Sequence, residues 1–305
     1  MSQNAIRLGI DLGGTKIEII ALDKNGHAHF RERCPTPKHH NEKQRYQLIL
    51  NSIKNLVEKA EGELKQVQLP LGIGIPGAIS LKTGFIKNAN TTCLIGQPFS
   101  QDLSDLLQRK VKLENDANCF ALSEAIDGAG KNHNVVFSVI LGTGVGAGIV
   151  INKQLLVGAN AIGGEWGHNA LPWPDTNDEP KQDCYCGLKG CIETYLSGPG
   201  FEKISQQQFN ANLTCQEIFK DKNHNPTAKH AYDLYVLRLA KSLASIINVL
   251  DPDIIILGGG LSNVDSLYED VTKQWGAFIF SDEVNTQLCK NQHGDSSGVR
   301  GAARL

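Results

Sequence analysis

Apolar residues along the chain fall into short runs that end at glycine- or proline-rich turns, with longer helical stretches between them. Strands are predicted at Ile6–Gly9, Ile17–Leu22 and His27–Cys34, the last ended by two prolines. Residues 43–60 carry apolar side chains at spacings of three and four, which indicates an amphipathic helix. The chain therefore opens with three strands followed by a helix.

The rest of the chain alternates buried strands with helices, which indicates an α/β fold. Residues 158–200 are the exception, because they lack periodicity and are rich in Gly, Pro and Cys. This segment is too long for an ordinary loop, so we expect a function there. The predicted strands are Leu71–Ile75, Val111–Glu114, Val135–Leu141, Gly146–Ile151 and Asp253–Leu257, and the predicted helices are Leu103–Arg109, Ala117–Ala125 and Pro226–Leu250, the last capped by Asn225.

Size and charge narrow the class of protein. At 305 residues the chain is long enough for two domains. A net charge of -2 and a pI near 6.5 argue against a nucleic-acid partner or a basic membrane-binding surface. No apolar run reaches the ~20 residues that span a bilayer, and the N-terminus lacks the features of a signal peptide. These properties favour a cytoplasmic enzyme with no membrane partner.

A glycine-rich turn follows the first strand. Asp11 ends the strand, and Gly13, Gly14, Thr15 and Lys16 form the turn. Bare backbone N–H groups, a hydroxyl and a lysine suit phosphate, and a carboxylate here can hold Mg²⁺ through water. The alternative is a simple hairpin with an Asp beside its turn, and this motif alone does not decide between the two. Neither the dinucleotide fingerprint nor a Walker loop is present.

Two more glycine-rich turns follow later strands. The second contains Thr143 and Gly144, and the third is Gly258, Gly259 and Gly260, which leaves room for a flat ligand such as adenosine. Taken singly, a hairpin or a common loop explains each turn. Three such turns in this order, each at the end of a strand, indicate a nucleotide held between two lobes, as in a kinase.

Asn115 and Asp116 lie between a predicted strand and a predicted helix. An Asp at a helix N-terminus accepts backbone N–H groups and feels the positive end of the helix dipole, so we expect its carboxylate to stay ionised at neutral pH. A simple N-cap is the alternative. A kinase also needs an ionised carboxylate to accept the proton of a sugar hydroxyl during phosphoryl transfer. Asp116 is therefore the candidate general base.

The irregular segment holds a candidate metal site. His168, Cys184, Cys186 and Cys191 supply one imidazole and three thiolates, a donor set that closes a tetrahedral structural Zn²⁺ site. Free thiols are the alternative, because Cys-x-Cys is a less usual spacing than Cys-x-x-Cys. Zinc would explain how the segment stays ordered. Four protein ligands leave no position for an activated water, which argues against a zinc hydrolase.

Two glutamates lie close to the metal motif in the sequence. Glu165 comes shortly before His168, and Glu193 comes shortly after Cys191. Carboxylates, together with an imidazole, can form the hydrogen bonds that the ring hydroxyls of a sugar require. Ordinary exposed glutamates are the alternative for each.

Together these motifs resemble those of the ROK family of bacterial sugar kinases and repressors, over essentially the whole chain. Residues 11–16 and 141–146 resemble the two phosphate motifs of the family, and residues 165–191 resemble its zinc motif. The resemblance implies a two-lobe actin/hexokinase-like (ribonuclease H-like) α/β fold with ATP, Mg²⁺ and a structural zinc. We expect a small lobe of residues 1–116 with about 290–305, and a larger lobe of residues 117–289 with the zinc and adenosine sites.

The resemblance also implies roles for single residues. Asp116 would be the general base, and Gly258–Gly260 would line the adenosine site. One ring nitrogen of His168 would bind zinc while the other faces the sugar. Analogy with the family suggests a homodimer. The expected contacts to the hexose are Asn90, Asn115, Asp116, Glu165, His168 and Glu193.

Within the family, residues 87–90, 96–99, 165–173 and 184–187 are most similar to those of manno(fructo)kinases. The implied reaction is that of a fructokinase, in which ATP phosphorylates fructose to fructose 6-phosphate, with mannose as a further substrate. N-acetylglucosamine kinase and glucokinase of the same family are the alternatives. Repressors of the family carry a helix-turn-helix before the first strand, and a strand that starts near Ile6 leaves no room for it.

Overall fold

The computed structural model describes residues 5–209 and 213–305. Its internal contacts divide the chain into two compact units. The first unit consists of residues 1–131, 153–163 and 295–305, and the second of residues 132–152 and 164–294. Each unit has its own sheet and its own buried apolar core.

In the part of the first unit that the structure describes there are a mixed sheet, a small hairpin and four helices. The strands are β1 (Arg7–Leu12), β2 (Lys16–Leu22), β3 (Ala28–Pro35), β4 (Leu71–Ile75), β5 (Ala78–Ile79), β6 (Ile86–Lys87), β7 (Val111–Asn115) and the short β10 (Gln154–Leu155). The helices are α1 (Glu42–Leu64), α2 (Phe99–Leu107), α3 (Asp116–Asp127) and α9 (Ser297–Ala302). The sheet has the order β3-β2-β1-β4-β7, in which β4 and β7 run parallel to β1.

One face of this sheet packs on α1. Leu8 and Ile10 alternate along β1 and are fully buried against Ile49 and Ile53, which lie one turn apart on the helix. The helix begins at Asn41, whose side chain accepts the backbone N–H of Gln44. The periodic apolar pattern in the sequence thus corresponds to a real core-facing stripe.

The other face of the sheet packs on α9, and glycines make this packing close. A Cβ on Gly9 would lie 2.3 Å from the carbonyl oxygen of Val299, and one on Gly72 would lie 2.0 Å from that of Ala302. On α9 itself, a Cβ on Gly301 would lie 1.7 Å from the carbonyl oxygen of Cys119 in α3. No other residue type fits at these positions, so α9 rests directly on the backbone of β1, β4 and α3.

Among its described residues, the second unit contains four paired strands and five helices. The strands are β8 (Val135–Leu141), β9 (Val145–Ile151), β11 (Ile254–Gly258) and β12 (Gln287–Lys290), and the helices are α4 (Glu193–Leu196), α5 (Gly198–Phe209), α6 (Cys215–Asp221), α7 (Pro226–Leu250) and α8 (Ser266–Trp275). β8 pairs antiparallel with β9 and parallel with β11, which pairs parallel with β12. The long, largely buried α7 is capped by Asn225, as its sequence predicts.

The predicted strands and the main helices are confirmed, with shifted bounds. The helix predicted at Leu103–Arg109 runs instead over Phe99–Leu107, because Gln108 takes a left-handed φ of 51° that ends it. The sequence analysis missed α5, α6, α8, α9 and β12. None of the described helices is long and apolar enough to cross a membrane.

The expected lobe boundary differs from the division into compact units. The expected larger lobe starts at residue 117, whereas the first unit extends to Lys131 and so includes α3. The reason is the packing of α3, which lies against α9 and β7.

Candidate functional site

In the first unit, Asp11 lies near the carboxyl end of β1. It pairs in register with Glu18 of β2, which is fully buried and accepts hydrogen bonds from the Nε atoms of Arg31 (2.6 Å) and Arg33 (2.7 Å). Partial burial, together with the negative charges of Asp116 and Glu18, raises the pKa of Asp11 to about 7. The sequence analysis missed Glu18, although a lone charge inside an apolar strand is a signal for it.

The first glycine-rich turn connects β1 and β2 as a hairpin. The backbone N–H of Gly13 donates to the carbonyl of Lys16 (2.9 Å), and the hydroxyl of Thr36 donates to the carbonyl of Gly13 (2.7 Å). Gly14 and Thr15 are exposed, and a Cβ on Gly14 would have no neighbour within 4 Å. The turn is therefore the hairpin of the alternative interpretation, and its tip has room for a ligand.

The N-cap of α3 is Asn115. The alternative interpretation, in which Asp116 is a simple N-cap, is therefore wrong. The Oδ1 of Asn115 accepts the N–H of Ala117 (2.9 Å), and its Nδ2 donates to the carbonyl of Gly77 (2.8 Å). Asp116 is exposed and accepts the same N–H through its own Oδ1 (2.8 Å). The carboxyl ends of β1 and β7 lie at the same edge of the sheet, with β4 between them, and the charge of Asp116 contributes to the raised pKa of Asp11.

Asn90 is exposed in the loop after β6. The backbone before it lies against the turn at Gly77, where a Cβ would be 2.5 Å from the carbonyl oxygen of Lys87. Since Asn115 bonds the same turn, the structure brings the loop of Asn90 and the end of β7 together. Both the oxygen and the nitrogen of the Asn115 side chain hold this arrangement, so the contacts that the structure shows for Asn115 are structural.

In the second unit, the second glycine-rich turn connects β8 and β9. Glu193 holds it, because its Oε2 accepts the N–H of Val145 (2.9 Å) and would lie 2.8 Å from a Cβ on Gly144. Thr143 at the tip is exposed. Glu193 is also an expected sugar contact, and the structure shows that its Oε2 is bound to the turn.

The third glycine-rich turn lies beside the second. Gly258 ends β11 in register with Ile140 of β8, and a Cβ on Gly259, which has a φ of +80°, would lie 2.3 Å from the carbonyl oxygen of Leu141. The first N–H of α5, on Gly198, donates to the carbonyl of Gly142 in the second turn (2.8 Å). Two of the predicted ligand-binding turns and one helix N-terminus therefore meet at the ends of neighbouring strands.

The residues just before the metal motif pack against β9. A Cβ on Gly167 would be 2.4 Å from the carbonyl oxygen of Val145, so only glycine allows this close approach. Trp166 is buried, whereas Glu165 is exposed at the start of the 3-10 helix Trp166–His168. This local fold fixes the position of His168 and leaves Glu165 open to a ligand.

The four predicted metal ligands come together. The donor atoms of His168, Cys184, Cys186 and Cys191 lie within 4.8 Å of one another. The Sγ atoms of Cys186 and Cys191 are 3.6 Å apart, and His168 Nδ1 is 3.5 Å from the Sγ of Cys184. A tetrahedral Zn²⁺ with ordinary bond lengths requires about 3.8 Å between two sulfurs and about 3.6 Å between sulfur and nitrogen. The donor set and the spacing both fit zinc.

The hydroxyl of Tyr185 contacts the second ring nitrogen of His168. This contact was not predicted from the sequence. The hydroxyl is 2.9 Å from Nε2, and the two rings meet edge to face with 5.0 Å between centroids. Desolvation of the hydroxyl and the negative charges of Glu193 and Glu165 raise the pKa of Tyr185 to about 12. Since the charges of both glutamates act on Tyr185, the phenol lies among the expected sugar contacts of this unit.

Comparison with known proteins matches the family model described as "ROK family" to residues 7–305. The N-acetyl-D-glucosamine kinase of Yersinia pseudotuberculosis serotype IB is 38% identical over 302 residues, 97% of this chain and 97% of the relative. Among solved structures, a ROK hexokinase from Thermus thermophilus is 28% identical with a TM-score of 0.84, covering 98% of this chain and 96% of that one.

A ROK family glucokinase from Streptomyces griseus, solved with glucose and AMPPNP, is 26% identical with a TM-score of 0.75 and covers 98% of both chains. These likenesses agree with the actin/hexokinase-like fold expected from the sequence. The curated relatives carry the name N-acetyl-D-glucosamine kinase rather than fructokinase. With a family match over nearly its full length and the family's motifs in place, the chain belongs to the ROK family.

Proposed function

We propose that this protein is an ATP-dependent kinase that phosphorylates a hexose at its 6-hydroxyl. The observation that carries the proposal is that two carboxylates, the exposed Asp116 and the half-buried Asp11, lie at the same edge of the sheet in the first unit. Phosphoryl transfer needs one carboxylate to accept the hydroxyl proton and another to help hold the cation that accompanies ATP. Asp116 takes the first role and Asp11 the second.

The bonds made and broken follow from these roles. Asp116 accepts the proton as the sugar oxygen bonds to the γ-phosphorus of ATP, and the bond between that phosphorus and the bridging oxygen breaks to release ADP. Mg²⁺, when bound, offsets the charge on the phosphates. Lys16 and the N–H groups of the first turn supply further positive potential to the phosphates.

The second unit supplies the remaining nucleotide contacts. Thr143 and Gly144 at the tip of the second turn, next to the N-terminus of α5, suit phosphate oxygens. Gly259 and Gly260 are exposed beside them and leave space for adenosine. The Streptomyces griseus relative, solved with AMPPNP, supports this nucleotide assignment.

His168, Cys184, Cys186 and Cys191 would hold a structural Zn²⁺. With four protein ligands the ion supplies folding energy to an irregular segment and takes no part in bond making. The segment in turn holds His168 and Tyr185 in their observed contact. Within the second unit, Glu165 and the His168–Tyr185 pair are then the groups that suit sugar hydroxyls, and within the first unit Asn90 is a further candidate.

The identity of the hexose rests on two lines of support. N-acetylglucosamine is the first candidate, because the relatives that match 97% of this chain carry that name. Fructose is the second candidate, because residues 165–173 and 184–187 resemble those of manno(fructo)kinases. An ADP-release assay with N-acetylglucosamine, fructose, mannose and glucose ranks them by kcat/KM. A clear preference for fructose would reverse the order of the two candidates.

The base is tested with Asp116→Asn, which keeps the size of the side chain and its hydrogen bond to Ala117. We expect folding and sugar binding to be retained and kcat to fall by about 100-fold or more, since general-base catalysis contributes on that order. The matched control is Asp282→Asn at an exposed acid of the second unit. Near wild-type turnover in Asp116→Asn would exclude it as the base, and absence of ADP release with all four sugars would overturn the kinase proposal.

A further inference from the structure

A cavity lies in the first unit, at the end of the sheet opposite to Asp11 and Asp116. Its volume is 280 Å³, and it opens beside the amino ends of β1, β4 and β7. Among the described residues that line it, four are basic and none is acidic. The lining residues are Arg7, Leu8, Gln68, Leu69, Pro70, Leu71, Gly72, Arg109, Lys110, Lys112, Ala303 and Leu305.

Arg109 is the buried cation of this cavity. Its side chain is 10% exposed and is held by Glu61, with its terminal nitrogens 2.6 and 2.9 Å from the two carboxylate oxygens. One of these nitrogens also donates to the carbonyl of Leu69 (2.9 Å). Its Nε is buried and finds no hydrogen-bond partner among the residues that the structure describes. The guanidinium is therefore fixed beside the cavity by Glu61 and Leu69, and its Nε has no surface that a ligand could reach.

Two further cations carry uncompensated charge. Lys112 donates to the main-chain oxygen of Leu305, whereas Arg7 and Lys110 are exposed and have no ion-pair partner within residues 5–209 and 213–305. Two free positive charges around a concave space match the charge of a phosphate dianion.

The rest of the lining indicates what carries the phosphate. Leu8, Leu69 and Leu71 are buried and form an apolar wall. The volume is slightly below the ~300 Å³ at which small-molecule sites usually begin, so a nucleotide is too large. We propose that this cavity binds a small phosphate ester, with Arg7 and Lys110 on the phosphate and the apolar wall on its carbon chain.

The experiment is calorimetric titration of the full-length protein with glycerol 3-phosphate, inorganic phosphate and glycerol. We expect the ester to bind most tightly, with an affinity that falls as NaCl is added. Arg7→Gln/Lys110→Gln should weaken ester binding about tenfold or more, because both charge-assisted contacts to the phosphate are lost. The matched control is Lys203→Gln/Lys220→Gln in the second unit, which should bind as wild type.

A titration of Lys16→Ala separates this cavity from the first glycine-rich turn. Binding retained in Lys16→Ala and lost in the double variant supports the cavity. Binding lost in Lys16→Ala, equal affinity for ester and inorganic phosphate, or no effect of the double variant would each overturn the proposal. The double variant should keep wild-type kinase turnover, so failure of the cavity proposal is distinct from failure of the proposed function.

Discussion

Asp11→Asn is expected to stabilise the fold while abolishing activity, and the stabilisation should depend on pH. The pKa of Asp11 is raised from 3.8 to about 7, so the folded protein favours the neutral carboxyl. A raised pKa contributes stability that is complete below the unfolded value near 4 and is lost as pH rises through 7. At 1.36 kcal/mol per pKa unit, the ionised side chain costs at most about 4 kcal/mol above pH 7.

The measurement is urea unfolding of the wild type and Asp11→Asn between pH 5 and pH 8, without Mg²⁺ or nucleotide. The advantage of the variant should be small at pH 5, grow through neutrality and level off above pH 7.5 or so. Asp282→Asn is the matched control, because this acid is exposed. A difference between Asp11→Asn and wild type that stays constant with pH would refute the explanation by ionisation.

Single contacts lead to three further predictions. Gly167→Ala should cost about 2 kcal/mol in urea unfolding, because its Cβ would lie 2.4 Å from a carbonyl oxygen, whereas Gly276→Ala, with no atom within 4 Å, should be near neutral. Glu193→Ala should raise the KM for ATP about tenfold more than the KM for sugar, because the carboxylate of Glu193 holds the second turn. A larger rise in the KM for sugar would favour a sugar contact. Cys184→Ser should lose the zinc detected by elemental analysis and lower the Tm, whereas Cys34→Ser should keep both.

The sequence predicted features that are encoded locally. Strand ends followed by glycines marked all three turns, and the histidine–cysteine spacing marked four donors that do lie together. Asp11 was found because a carboxylate beside a glycine-rich turn is a local pattern. Asp11 lies at the same edge of the sheet as Asp116 because β1, β4 and β7 run parallel.

Features that depend on strand pairing or on chain reversal could not be predicted in the same way. Glu18 is held by Arg31 and Arg33 through the register of β2 and β3, which no single segment specifies. Tyr185 meets His168 because the chain folds back through the metal ligands. The bond from Glu193 to the second turn depends on the same kind of long-range folding, because Glu193 and Val145 are far apart in the sequence. The helix α9 was missed because six residues give no periodicity.

The glycine contacts of α9 also set an order of events during synthesis. Residues 297–302 emerge from the ribosome after every strand of the sheet on which they rest. Until then, the glycine-bearing face of β1 and β4 lacks its cover, whereas the strands and helices of the second unit have nearly all been translated. The sheet that contains β1 and β4 is therefore translated early but completes its packing late. A nascent chain stalled before residue 297 should present this sheet to chaperones.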